Sequence, residues 1–120
     1  MDWEKPSGEL GEILAGAAAG FPFVVRRKMF GGLALFLNGN MLAGVHGKKI
    51  VVRLSETDRA AALAQAGFAV FEPAPGRVMA EYVVLPETAW SDPDELDRWL
   101  SRAVDFVGAL PPKEPKPRRR

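Results

Sequence analysis

Little in this sequence is of a type and spacing that could make or break bonds. One histidine, His46, and no cysteine remove thiolate nucleophiles, disulfides, thiolate metal sites and any cluster of imidazole ligands together. A general base needs a positioned partner within hydrogen-bond reach, and His46, followed by Gly47, Lys48 and Lys49, reads as an exposed turn residue instead. Ser7, Ser55 and Ser91 each stand where a helix start wants a capping oxygen, and Ser101 falls inside a helical stretch, so none is offered to a base as a nucleophile. Asp92, Asp94, Glu95 and Asp97 crowd together. Acids belong in the first turns of a helix, and these lack the spaced ligands and central glycine of a calcium loop. Gly31-Gly32 and the pair Gly8 and Gly11 match neither a P-loop nor a dinucleotide fingerprint. The expectation is a protein that is not an enzyme, holds no metal and needs no cofactor.

Binding is the chemistry that remains, and two strings stand out. Arg27-Lys28-Met29-Phe30-Gly31-Gly32 places two cations and two large apolar side chains ahead of glycines, whose missing Cβ permits a bulge or a close backbone approach. Gly76-Arg77-Val78-Met79-Ala80-Glu81-Tyr82 opens a return strand in which Arg77 and Tyr82 reach across to neighbours. Arginine and tyrosine fix small anions by bidentate and single hydrogen bonds. Arg77 and Tyr82, with Arg53, therefore define one alternative, a small-anion site or minor enzyme in a cleft beside the glycine pair. Basic groups also raise nucleic acid: Arg26-Arg27-Lys28, Lys48-Lys49 and the C-terminal residues. On an alternating strand Arg26 and Lys28 share one face and Arg27 takes the other, which breaks the patch. Contact made by the tail alone would be weak, non-specific and lost with salt.

The elements that must position these residues follow from periodicity and turn chemistry. Leu10, Ile13, Leu14, Ala17 and Ala18 recur at three and four, predicting a helix over about 8–19 stopped by Gly20 and Pro22. Extended segments follow at Val24 to Phe30, Leu33 to Leu37, Met41 to Val45 and Lys49 to Leu54, joined at Asn38-Gly39-Asn40 and His46-Gly47-Lys48, whose residue types suit hairpin turns. Ser55-Glu56-Thr57-Asp58 opens a second helix that Gly67 ends. Two strands at about Phe68 to Phe71 and Val78 to Val84 flank Glu72-Pro73-Ala74-Pro75-Gly76, which reads as a loop. Asp92-Pro93-Asp94-Glu95 starts a third helix, and Leu96, Trp99, Leu100, Ala103, Phe106, Val107 and Leu110 give it a wide apolar stripe before Pro111-Pro112. The order α-β-β-β-β-α-β-β-α with hairpin connections predicts an α+β fold, a mostly antiparallel sheet of about six strands with helices grouped on one side.

At 120 residues, 48% apolar and 26% charged, the chain is sized and composed for a single domain, read as residues 1–110. Five cations against Glu114 put +4 on residues 113–120, leaving the rest at −3 of the net +1. That segment has no apolar residue to offset its ordering entropy, so 111–120 is expected to be a disordered tail. No run approaches the roughly 18 apolar residues of a membrane span. The acidic Met1-Asp2-Trp3-Glu4-Lys5 start does not read as a secretory signal, and a cytoplasmic address is expected.

The basic-Met-Phe-Gly-Gly segment at 27–32, the Asn38-Gly39-Asn40-Met41 turn, the Val51-Val52-Arg53-Leu54 strand, and Arg77-Val78-Met79 with Tyr82 together resemble the TfoX N-terminal domain family. This module begins Sxy-type competence regulators and also occurs alone. The resemblance implies an α+β fold similar to secretion-chaperone and YjbR-like domains. It also implies a role in transcription regulation through protein contact, with a transcription factor or polymerase-associated protein as partner. The exposed edge or face of the expected sheet offers a contact surface that could equally support a homodimer by strand pairing. On the family's motif, Arg27, Lys28, Met29, Phe30, Gly31, Gly32, Arg77 and Tyr82 are the candidate binding residues, and no catalytic residue is implied.

Overall fold

The computed structural model describes residues 8–29 and 32–112. Helix α1 (Gly8–Ala18) buries Leu10, Leu14 and Ala18, one per turn on a single stripe. Strands β1 (Val25–Met29), β2 (Gly32–Leu37), β3 (Asn40–His46) and β4 (Lys49–Arg53) then run as an antiparallel meander. Its tight turns use the left-handed backbone: Asn38 and Gly39 have φ of 54° and 82°, the signature of a primed turn matched to strand twist. In α2 (Glu56–Leu63) the Ser55 hydroxyl accepts the Asp58 N–H at 3.2 Å, satisfying one of the free donors of the first turn. The hairpin of β5 (Ala69–Ala74) and β6 (Arg77–Leu85) follows, then a single turn α3 (Glu87–Trp90) and the long α4 (Pro93–Gly108). The α4 start is the one its residues dictate: Pro93 begins the helix, and the Asp92 carboxylate accepts the Asp94 and Glu95 N–H groups at 3.0 and 3.4 Å.

The six strands form one antiparallel sheet in the order β1-β2-β3-β4-β6-β5. Strand alternation sorts the side chains between its faces. Leu35, Ala43, Val45, Ile50, Val52, Val83 and Leu85 join the helix residues Leu14, Ala62, Leu96, Trp99, Leu100 and Val107 in the main core. On the other face Val51, Phe71 and Tyr82 form a second, smaller cluster with Met41, Met79 and Val84, to which no helix of the described residues contributes. One irregularity resets the alternation. Between Leu35↔Ala43 and Phe36↔Met41, β3 contains one more residue than β2, so Leu42 and Ala43 both reach the core while Met41 falls on the opposite face. No helix among the described residues is long and apolar enough to cross a membrane.

The architecture is the expected α+β arrangement with the expected order, and three details differ. Helix α2 stops at Leu63, capped by Ala64, four residues before Gly67, which instead takes φ of 89° in the turn toward β5. The segment Glu72-Pro73-Ala74 is strand, not loop. β5 is one of the two edge strands, and its register is irregular around Pro73, a setting that tolerates a proline. The short α3 was not foreseen, and Ser91 closes it as a C-cap while Asp92 performs the capping of α4. The proposed Ser7 cap, Phe30, Gly31 and residues 113–120 lie outside the described residues.

Candidate functional site

The sheet face without helices carries a groove of about 420 Å³. Met41, Gly44 and His46 of β3, Ala34 of β2 and Val51 of β4 supply one side. Phe71 and Ala74 of β5 and Arg77 and Met79 of β6 supply the other. Cross-strand register builds the floor, since Ala34 pairs with Gly44 and Gly44 with Val51, aligning a methyl, a bare glycine backbone and a branched side chain in a row across the sheet. Gly44 is fitted to its place: a Cβ there would come within 2.8 Å of the Met41 Cε, so the thioether lies over bare backbone. The imidazole of His46 packs edge-on against Phe71 with ring centroids 5.1 Å apart. The β5–β6 hairpin, irregular in register around Phe71, forms the far wall.

Beside the groove a polar network anchors the β3 irregularity. The extra residue interrupts the ladder there, and the Met41 carbonyl receives the Tyr82 hydroxyl and the Arg53 guanidinium, both at 3.4 Å. Arg53 Nε donates to Glu81 Oε1 at 2.7 Å, a charge-assisted bond that holds the guanidinium across the strands. Its carbon lies 5.8 Å from the Tyr82 ring centre. Burial pushes the Tyr82 hydroxyl above its ordinary pKa, against the pull of Arg53 and with a smaller push from Glu81.

The candidate residues are thus divided. Arg77 lines the groove; Tyr82 does not, but packs beneath its walls with Phe71, Met41 and Met79. Arg53, also expected at the cleft, is committed to Glu81 and the Met41 carbonyl. Arg27 shares the uncovered face, since it pairs with Ala34 and sets its guanidinium 5.2 Å from the Phe36 ring centre. Lys28, paired with Leu33, takes the alternate side of the edge strand. Gly32 opens β2 against Met29, while Phe30, Gly31 and the Met29 side chain lie outside the described residues. His46, expected as an exposed turn residue, is exposed but ends β3 and stands on the groove wall. Its phase was legible, two positions from Gly44 on one strand, but the Phe71 ring that holds it comes from a strand 25 positions away. Among the described residues no group of three His, Cys, Asp or Glu is placed to hold a metal ion.

A helix-backed antiparallel sheet with one grooved face defines an open-faced α+β fold. Residues 17–107 match the TfoX N-terminal domain, and the chain belongs to that family. No curated protein matches it.

Proposed function

We propose that this chain is a non-enzymatic interaction module that acts by contact with another protein, in transcription-linked regulation of the kind its family implies. The observation that carries the reading is the uncovered sheet face, where a second apolar cluster, Val51, Phe71 and Tyr82, underlies a groove instead of a helix. The chemistry of the sheet edge favours an acidic partner over a second copy. Edge strand β1 presents Arg26, Arg27 and Lys28, and pairing two such strands would set like charges against each other. An acidic strand or loop would meet them favourably, as edge addition uses backbone bonds for affinity and side chains for selection.

The test is affinity capture from a native lysate with three immobilised forms: the chain, the chain with Arg27→Glu and Arg77→Glu on the uncovered face, and the chain with Arg98→Glu on α4. A stoichiometric protein retained by the first and third forms and lost by the second supports the reading. Retention by all three, or by none, overturns it. Removing residues 111–120 in parallel separates capture by the domain from capture of nucleic acid by the basic tail.

A further inference from the structure

We propose that the groove binds a small carboxylate with an aromatic body, whose carboxylate is taken by Arg77. This goes beyond the protein-contact reading and stands whether or not a protein partner is found.

Size, lining and charge converge on that ligand. A volume of about 420 Å³ lies within the roughly 300–1,000 Å³ of small-molecule sites, which are mostly apolar with a few polar groups that set orientation. Here Met41, Met79, Phe71, Val51 and Ala34 make the apolar part. Two thioethers and a phenyl ring favour an aromatic occupant, because sulfur makes good contacts at ring edges and unbranched methionine adapts to a flat body. His46 already shows the mode, packing edge-on against Phe71.

The sign of the ligand follows from which charges are engaged. Arg53, Arg98 and Arg102 each lie within 4 Å of a carboxylate, of Glu81, Glu95 and Asp58 respectively. Among the described residues Arg77 has no such partner, and no Asp or Glu lines the groove. Of the two acids on the hairpin, Glu81 is engaged by Arg53, and Glu72 accepts the Gly76 N–H at 2.7 Å and is held by the turn. A cationic ligand would therefore meet Arg77 unopposed, and a bare inorganic anion would leave the apolar walls in water. A guanidinium beside an apolar slot matches a planar carboxylate on an apolar body, since the fork geometry accepts both oxygens.

Amide NMR on the isotope-labelled chain tests this with phenylpropanoate, phenylpropanol, phenylpropylamine and octanoate. Saturable shifts from phenylpropanoate at Gly44, Phe71, Arg77 and Met79 are expected, with the alcohol weaker by about tenfold or more, the amine weaker still, and octanoate weaker than the aromatic acid. Arg77→Ala, at an exposed position, should erase the preference for acid over alcohol, and Arg77→Lys should restore part of it. Ala74→Trp, filling the groove from its rim, should weaken both ligands. No saturable shift, shifts confined to the helix side, or an acid preference untouched by Arg77→Ala overturns the proposal. Octanoate binding as tightly as phenylpropanoate overturns the aromatic body.

Discussion

Tyr82 is the sole tyrosine of the chain, which makes its hydroxyl directly readable. Burial raises its pKa in the folded protein, so the unfolded chain gives up the phenolic proton first. Stability is then intact below the ordinary phenol value and falls as pH climbs through the folded value. A phenolate absorbance titration should show a midpoint above that of free tyrosine, and melting curves should show a steeper alkaline loss for the native chain than for Tyr82→Phe. Coincident curves would refute the burial argument. Near neutral pH the same substitution should cost no more than about 1 kcal/mol, since the bond it removes is long and the Met41 carbonyl keeps Arg53. Arg77 and Tyr82 were both legible as polar-tipped residues on a return strand. Which one the fold consumes was not, because that depends on a carbonyl exposed by one extra residue in β3, and nothing in Met41-Leu42-Ala43 announces the extra residue.

The elements differ in how plainly their residues specify them. Helix α4 was legible at its start and along its stripe because Asp92-Pro93 and the apolar spacing agree, although it stops at Gly108, two residues before Leu110. Asp92→Ala should destabilise the protein by about 1 kcal/mol, seen as a lower denaturant midpoint at unchanged slope. By contrast, α3 is a single turn, Glu87–Trp90, too short to show a period, and its place is set by Ala89 entering the core. The extent of β5 was hidden for another reason: Pro73 is compatible with a strand at an edge or an irregularity, and β5 supplies both, features that pairing with the rest of the sheet decides. The glycines allow a paired test. Gly67 and Gly76 both hold positive φ, 89° and 79°, but a Cβ on Gly67 would lie 2.9 Å from the Pro86 Cβ, while one on Gly76 meets nothing. Gly76→Ala should cost about 1–2 kcal/mol of backbone strain and Gly67→Ala distinctly more. Equal losses by urea denaturation would deny the Gly67–Pro86 packing its role.

The whole molecule keeps its two apolar clusters on opposite sides of one sheet, and they should not matter equally. Leu100 is fully buried among helix and sheet residues, so Leu100→Ala should cost about 2–5 kcal/mol. Met79, half-buried on the groove wall, should cost less than about 2 kcal/mol when cut to alanine, because solvent already reaches the site. Urea titrations of the two variants check the ordering. Fold class and element order were legible because hairpin turns and helix stripes are local. The groove was not, since it needs β3 and the β5–β6 hairpin on either side of β4, a juxtaposition made by β6 inserting between β4 and β5. That insertion matters before the protein is complete. Chains leave the ribosome in order, so β4, with Ile50, Val51 and Val52, must wait with a bare edge until its neighbour β6, ending at Leu85, has been made. Nascent chains stalled between β4 and β6 would be the most prone to stick to one another, and a synonymous-codon slowdown there should lower soluble yield more than the same slowdown within α4.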